Sequence, residues 1–246
     1  MKYIKGRGAQ INTHNKFLQH IYELRDDFLE YCHLQNEKSD NNKTSYLEIY
    51  PKTILNKVTS PDIGLTYSMN PYQGCEHGCI YCYARNTHEY WGFSAGLDFE
   101  RKILYKANAP ELLEKKLKSK NWQAQGIMFS GNTDCYQPIE KKLEITRKML
   151  LILLKLKHPV GMITKNALIL RDLDILKEMS KLNLVHVSIS ITSLSEETRR
   201  ILEPRTTTIK KRLETVKILS ENGIPVNVMM APIIPAVNNH EIFGLV

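Results

Sequence analysis

Long apolar runs are missing from this 246-residue chain. The most apolar stretch, Met149 to Leu156, is interrupted by Lys155 and falls well short of the ~20 residues that a membrane-crossing helix needs. The basic start, Met1-Lys2-Tyr3-Ile4-Lys5-Gly6-Arg7, has no apolar signal core behind it. These absences predict a cytoplasmic protein with no membrane partner. Cysteine is scarce as well: there are five, an odd number, and three of them are bunched. That argues against a secreted disulfide framework, and a reducing compartment suits thiolates that bind metal. Nor is positive charge gathered into one arm. The net charge is +8, yet the lysines are scattered, as in Glu114-Lys115-Lys116-Leu117-Lys118. This reads as a solvated basic surface. The functional alternatives are attraction to a polyanion such as nucleic acid, or a basic cleft for a small anionic ligand.

What is present is ordinary globular composition, 42% hydrophobic and 24% charged, in a chain long enough for one large α/β domain or two small ones. Residues 1–60 read as an N-terminal α/β extension and 61–246 as the core domain. In the extension, Leu18 to His33 has helical apolar spacing, with Ile21, Leu24, Phe28 and Cys32 in register. Cys32 serves there as a small apolar residue. Glu37 to Lys43 is a polar loop, and Tyr46 to Val58 holds a strand. From Leu65 a β/α rhythm sets in. Strands are expected over Leu65–Asn70, Gly126–Ser130, Val160–Thr164, Leu184–Ile191 and Pro225–Met230. Helices are expected over Ala109–Lys118, Glu140–Leu156, Arg171–Leu182, Glu196–Leu202 and Ile209–Ser220. Such alternation implies parallel strands joined by right-handed crossovers, in a sheet either open or curled toward a barrel. Ligands then bind at the C-terminal ends of the strands. Polar clusters follow those ends: Ser130 to Asp134, Thr164-Lys165-Asn166, Ser190 to Thr192, and Ala231-Pro232 after the last strand.

The first expected strand leads into Cys75, Cys79 and Cys82, a C-x3-C-x2-C triplet. Thiolates this close are placed to hold a metal centre. A cubane iron–sulfur cluster usually takes four cysteines, so three would leave one iron open to another ligand. Spacing alone gives a thiolate site with room for a fourth group. A zinc module completed by His77 or His88 is therefore an alternative, weakened by the lack of a second ligand pair at the usual zinc spacing. Gly74 and Gly78 flank the first two cysteines, where backbone must turn sharply and pass close to a cluster.

The triplet, placed after a first strand in a repeated β/α chain, resembles the radical S-adenosylmethionine (SAM) superfamily. Several further motifs resemble its bacterial branch related to spore photoproduct lyase, the DNA repair photolyase-like proteins. They are Gly-Cys-Glu-His-Gly-Cys-Ile-Tyr-Cys-Tyr-Ala-Arg (Gly74 to Arg85), Ser94 to Glu100, Asn-Thr-Asp-Cys-Tyr-Gln-Pro (Asn132 to Pro138), Thr164-Lys165-Asn166, Leu202-Glu203-Pro204-Arg205, Ala231 to Pro235 and Gly6 to Asn12. The resemblance covers nearly the whole chain. It implies a partial (β/α) TIM-like barrel and a [4Fe–4S] cluster on Cys75, Cys79 and Cys82. It also implies SAM as the ligand of the open iron, cleaved by one electron to a 5′-deoxyadenosyl radical. A reductant such as flavodoxin or ferredoxin would be needed. The substrate is not named by the sequence, nucleic acid being one candidate. A core of this type usually has six strands, and five are legible before Val246, so the last is expected to be missing.

The resemblance also assigns SAM contacts. Ser130, Asn132, Thr133 and Asp134 stand where the superfamily meets the SAM amino group, although Gly, Asn and Asp are common in any turn. Lys165 is a partner for the SAM carboxylate or a solvated lysine. The backbone near Tyr81 would touch the adenine. Ser190 and Thr192 would bind ribose hydroxyls or be satisfied interior hydroxyls. Arg205 would clamp a carboxylate bidentately or pin its loop to Glu203. Spore photoproduct lyase uses a hydrogen-donating cysteine just before the matching Ser/Thr-Asp step. Here Cys135 follows Asp134, so it is read as a catalytic hydrogen donor or as a small packed residue.

Overall fold

The computed structural model describes residues 3–18, 43–60, 64 and 66–245. The helix expected over Leu18 to His33, Cys32 with it, and the Glu37 to Lys43 loop lie, but for Leu18 and Lys43 themselves, outside these residues. The strands among the described residues are β1 (Ser45–Ile49), β2 (Leu55–Lys57), β3 (Tyr67–Met69), β4 (Tyr72–Gln73), β5 (Lys102–Lys106), β6 (Ile127–Phe129), β7 (Val160–Thr164), β8 (Val185–Ser190) and β9 (Val226–Met229). They form two sheets, of order β1-β5-β4 and β2-β3-β6-β7-β8-β9.

The larger sheet carries the expected five strands, β3, β6, β7, β8 and β9, all parallel. Its register aligns Phe129 with Met162 and Met162 with Val187. These side chains belong to one core with Leu150 and Leu153 of the helix Ile145–Lys155, Leu176 and Met179 of the helix Leu173–Lys181, and Leu219 of the helix Ile209–Glu221. Burial of that apolar face is what holds the helices on the sheet. Among the described residues the sheet is open, with β2 and β9 at its edges. Strand β2 lies within residues 1–60 yet pairs antiparallel with β3, so the extension supplies a strand to the main sheet.

Two expectations on helices need correction. Glu140–Leu156 is not continuous but splits into Glu140–Leu143 and Ile145–Lys155, with Glu144 at φ 52°. The cause is the buried Glu140 carboxylate, which accepts from the backbone N–H of Thr146 (3.0 Å) and Arg147 (3.4 Å) and folds the chain back on itself. The helix expected from Arg171 starts at Leu173 and follows a 3-10 turn, Ala167–Asp172, capped by the Asn166 side chain accepting from Leu168 N–H at 3.0 Å.

The N-terminal segment packs on the cysteine loop. The N–H groups of Gly8 and Ala9 donate to the Glu100 carboxylate at 3.1 and 2.7 Å, and Leu97 N–H donates to Ile11 O at 3.0 Å. A Cβ on Gly8 would lie 1.9 Å from the backbone oxygen of Gly78. Only glycine permits this approach, because the obstacle is backbone and cannot swing away. Gly8→Ala is therefore expected to push the segment off the loop and cost about 1–3 kcal/mol, the usual range for overpacking. Urea unfolding measures it, and an unchanged midpoint would show that the contact carries no weight.

Candidate metal centre and its cavity

Strand β4 delivers the chain to Gly74, whose φ of 77° turns it into the loop holding Cys75, Cys79 and Cys82. The loop is pinned from several sides. Cys75 N–H donates to Phe99 O at 2.9 Å, Ile80 N–H to Leu202 O at 3.0 Å, and Arg205 N–H to His77 O at 3.2 Å. Gln137 straddles Cys75, accepting from Glu76 N–H at 3.2 Å and donating to Gly74 O at 3.1 Å. The Arg85 guanidinium donates twice to Cys79 O, at 3.1 and 2.9 Å, and pairs with Glu100 at 2.6 Å. A loop with its backbone fixed this way keeps its three thiols in place before any metal arrives.

All three cysteines line one cavity of about 400 Å3. It opens at the C-terminal ends of the parallel strands, as this topology dictates. Ser130, Asn132, Thr133 and Asp134 reach it after β6, Lys165 after β7, Ser190 at the end of β8, and Met229, Ala231 and Pro232 at and after β9. Tyr81 completes the wall. Three expected site residues are not brought there. Thr192 is buried behind the wall, its Oγ1 donating to Glu203 at 2.7 Å. Arg205 lines a different cavity, its guanidinium 3.7 Å from Glu76. Cys135 is fully buried in the main core, its N–H donating to Ser130 Oγ at 2.8 Å and its carbonyl accepting from Thr146 Oγ1 at 2.7 Å. His88 is packed between Phe93 and Phe99, with ring centroids at 5.3 and 5.6 Å.

Burial pushes all three thiols up, Cys79 to about 12. The metal-free loop therefore carries protonated thiols, and metal binding must release their protons. His77 is committed elsewhere. Its Nδ1 is 3.3 Å from Asp134 Oδ2 and its Nε2 is 3.4 Å from Asn166 Nδ2. Both ring nitrogens being engaged, His77 does not suit the fourth place of a tetrahedral zinc site. Among the described residues, no group of three or more His, Cys, Asp or Glu side chains converges as a single ion requires. The three thiols share one cavity wall, and the histidine beside them has both ring nitrogens engaged.

The polar groups around the cysteines differ in how free they are. Asp134 is saturated: it accepts from Thr164 Oγ1, Lys165 N–H and Tyr136 N–H, each at 2.8 Å, besides its contact with His77. Burial opposes its charge, but His77 and these donors outweigh it and hold the carboxyl at about 2. Since the folded value lies below the ordinary 3.8, Asp134 stabilises the fold fully above about pH 4. That contribution, about 2 kcal/mol, is lost as pH falls toward 2. The stability gap between wild type and Asp134→Asn, measured by urea unfolding of metal-free protein, is expected to shrink between pH 6 and pH 2.5. A constant gap would contradict the assignment.

Lys165 is half-buried, with Nζ 5.8 Å from the centre of the Tyr81 ring. Burial works against its ammonium, but its neighbours Cys79, Glu203 and Asp134 outweigh this and leave its pKa raised. It is a cation inside the cavity. Tyr81 is itself held from behind, its hydroxyl donating to Glu203 and lying 3.1 Å from Thr192 Oγ1. Glu203 also accepts from Thr192 Oγ1 at 2.7 Å and pairs with Arg212 at 2.6 Å, both charged side chains being 1% exposed. Sequence reading did not find Arg212 or Gln137 as parts of this site, and it gave Glu203 only as a partner for Arg205. The sole hint was that Glu203, Arg205 and Gln137 lie in quoted motifs.

Comparison with known proteins agrees with this geometry. The radical SAM superfamily pattern matches residues 69–246. An uncharacterized protein of Mycobacterium tuberculosis is 32% identical over 192 residues, 78% of this chain and 56% of the relative. One of Methanocaldococcus jannaschii is 32% identical over 196 residues, 79% of this chain and 70% of the relative. In fold, the chain is similar to spore photoproduct lyase complexed with dinucleoside spore photoproduct, with a TM-score of 0.61 at 18% identity over 79% of this chain and 53% of that one. A lyase mutant with bound AdoMet and the same dinucleoside gives a TM-score of 0.57 at 14% identity, covering 84% of this chain and 63% of that one. The chain thus spans 56% of the mycobacterial relative and 53% of the first lyase structure. No helix among the described residues is long and apolar enough to cross a membrane. With its family pattern running through the cysteine loop and every strand of the cavity, the chain belongs to the radical SAM superfamily.

Proposed function

We propose that this protein is a radical SAM enzyme in which Cys75, Cys79 and Cys82 hold a [4Fe–4S] cluster and the rest of the cavity holds SAM. The observation that carries this reading is the single cavity shared by three thiols and the polar groups that end successive parallel strands. Bound there, the cluster supplies the electron that cleaves SAM reductively to methionine and a 5′-deoxyadenosyl radical, drawn from a reductant such as flavodoxin or ferredoxin.

The chain's own residues bind and orient. The Lys165 ammonium offers the SAM carboxylate a partner in a site partly shielded from water, where a charge-assisted bond is strong. Ser130, Asn132 and Thr133 lie on the wall where the amino group is to be held, with Asn132 N–H fixed to Asn70 Oδ1 at 2.9 Å and Thr133 Oγ1 to Tyr72 O at 2.7 Å. Asp134, its oxygens already taken, acts by locking the loop after β6 to the end of β7. Ser190 supplies a hydroxyl for the ribose, and the Tyr81 segment borders the adenine. Lys165→Ala in reconstituted protein is expected to weaken SAM binding about tenfold, as loss of one charged partner does. Equilibrium dialysis with labelled SAM measures this, and unchanged affinity would remove Lys165 from the SAM site. A nucleic-acid substrate is the second reading, favoured by the net charge of +8. DNA or RNA affinity that does not fall as salt rises would remove it.

A further inference from the structure

The cavity that Arg205 does line is larger, about 770 Å3, and shares no residue with the cysteine cavity. The cysteine loop divides the two: Cys75 and His77 face one, Glu76 between them faces the other. Among the described residues, four cationic side chains, Lys5, Arg7, Lys43 and Arg205, line the larger cavity with one carboxylate, that of Glu76.

That carboxylate is 2% exposed and already accepts from the Tyr46 hydroxyl at 2.5 Å, with Arg205 no nearer than 3.7 Å. The other acid close by, Glu100, is occupied by Gly8 N–H, Ala9 N–H and Arg85. Arg7 is buried, and its guanidinium donates to a carbonyl and a hydroxyl, Glu100 O at 2.7 Å and Thr44 Oγ1 at 2.9 Å, with no ion pair among the described residues. Burial foremost, and then the Arg205 charge, lower its pKa against the opposite pull of the Glu100 and Glu76 carboxylates. Lys5 and Lys43 have no ion pair or side-chain hydrogen bond among the described residues. The Tyr3 ring, 73% exposed, stands on the rim with Tyr46. Among the described residues the converging cations outnumber the anions, which makes an anion site, and an exposed ring beside them suits a base.

We propose that this basic cavity is a second ligand site, one that takes a phosphate ester of nucleotide size. The phosphate sits among Lys5, Lys43 and Arg205, and an attached ring lies against Tyr3. The proposal does not depend on what the cysteine cavity holds. The same chemistry comes from a free nucleotide or from the end of an oligonucleotide, and the probes separate these sources.

Titration calorimetry with pyrophosphate, uridine 5′-monophosphate, uridine, and a uridine trinucleotide with and without a 5′-phosphate tests it. Pyrophosphate and the monophosphate are expected to bind saturably, uridine at least about tenfold more weakly than its monophosphate. A 5′-phosphorylated trinucleotide that binds more tightly than the monophosphate assigns the site to a nucleic-acid end, and the reverse order to a free nucleotide. Lys5→Gln, an exposed position that folding does not need, and Arg205→Gln are each expected to weaken monophosphate binding about five- to tenfold. Lys165→Ala, in the other cavity, is expected to leave it unchanged. Absence of saturable binding by both phosphates, equal binding of uridine, indifference to both Lys5→Gln and Arg205→Gln, or loss of binding in Lys165→Ala would overturn the proposal.

Discussion

Cys79→Ala is expected to give a folded, colourless protein that takes up no stable iron–sulfur cluster and forms no 5′-deoxyadenosine above background. The backbone reasons make the mutant informative. The loop around Cys79 is held by Arg85 on the Cys79 carbonyl, by Ile80 N–H on Leu202 O and by Gln137 at Cys75, none of which uses the thiol. Removing one sulfur therefore leaves the loop standing, at a cost near the ~1 kcal/mol of an average substitution. What the mutant would lose is a proposed cluster ligand, and the described histidine beside it, His77, has both ring nitrogens engaged. Iron and sulfide assay after anaerobic reconstitution, with circular dichroism for the fold, measures the outcome. Full iron loading in Cys79→Ala would mean that the triplet is not the ligand set.

The largest effect on stability is expected from Glu203→Ala. Glu203 and Arg212 pair at 2.6 Å with both side chains 1% exposed. Arg212 also donates to Ser190 O at 2.9 Å and Thr207 O at 2.8 Å, and Glu203 receives the hydroxyls of Tyr81 and Thr192. Breaking a buried pair by removing one partner costs about 3–5 kcal/mol, because the remaining charge is stranded. Here the stranded charge is Arg212, beside the end of β8. Glu203→Gln keeps an acceptor for Tyr81 and Thr192 but not the countercharge, so it should fall between wild type and Glu203→Ala in urea unfolding. Tyr81 borders the cavity, so both variants should also weaken SAM binding. Two variants within about 0.5 kcal/mol of wild type would show that the pair is not buried as described.

These two sites differ in how far the sequence discloses them. The cysteines could be read as a proposed metal site because metal ligation fixes residue type and short spacing within one loop. The five parallel strands were legible for a related reason. Val160–Thr164 and Val185–Ser190 carry β-branched residues whose period matches a half-buried strand, and the polar clusters after them mark strand ends. The helix Glu196–Leu202 was expected at its observed bounds, and the structure adds its cap, Ser195 Oγ accepting from Thr198 N–H at 3.2 Å.

Other features are set through space and leave no local period. Arg212 meets Glu203 across the loop between two helices, so neither residue announces the pair. Strand β5 reads as Lys-Ile-Leu-Tyr-Lys, a charged-ended run that becomes a strand because β1 and β4 flank it. The break at Glu144 comes from Glu140 turning inward to bind Thr146 and Arg147, while the apolar periodicity runs on past it. The close approach of Gly8 to Gly78 was hidden for the same reason: a lone glycine gives no sign of which backbone it must admit.

One measurement bears on the central claim most directly. Purified protein is reconstituted anaerobically with iron and sulfide, reduced with dithionite, and mixed with SAM, and 5′-deoxyadenosine is quantified beside iron content. The account predicts a brown protein with about four irons per chain that converts SAM to 5′-deoxyadenosine and methionine. A colourless protein that binds zinc but no iron, or a loaded protein that leaves SAM intact under a strong reductant, would contradict it.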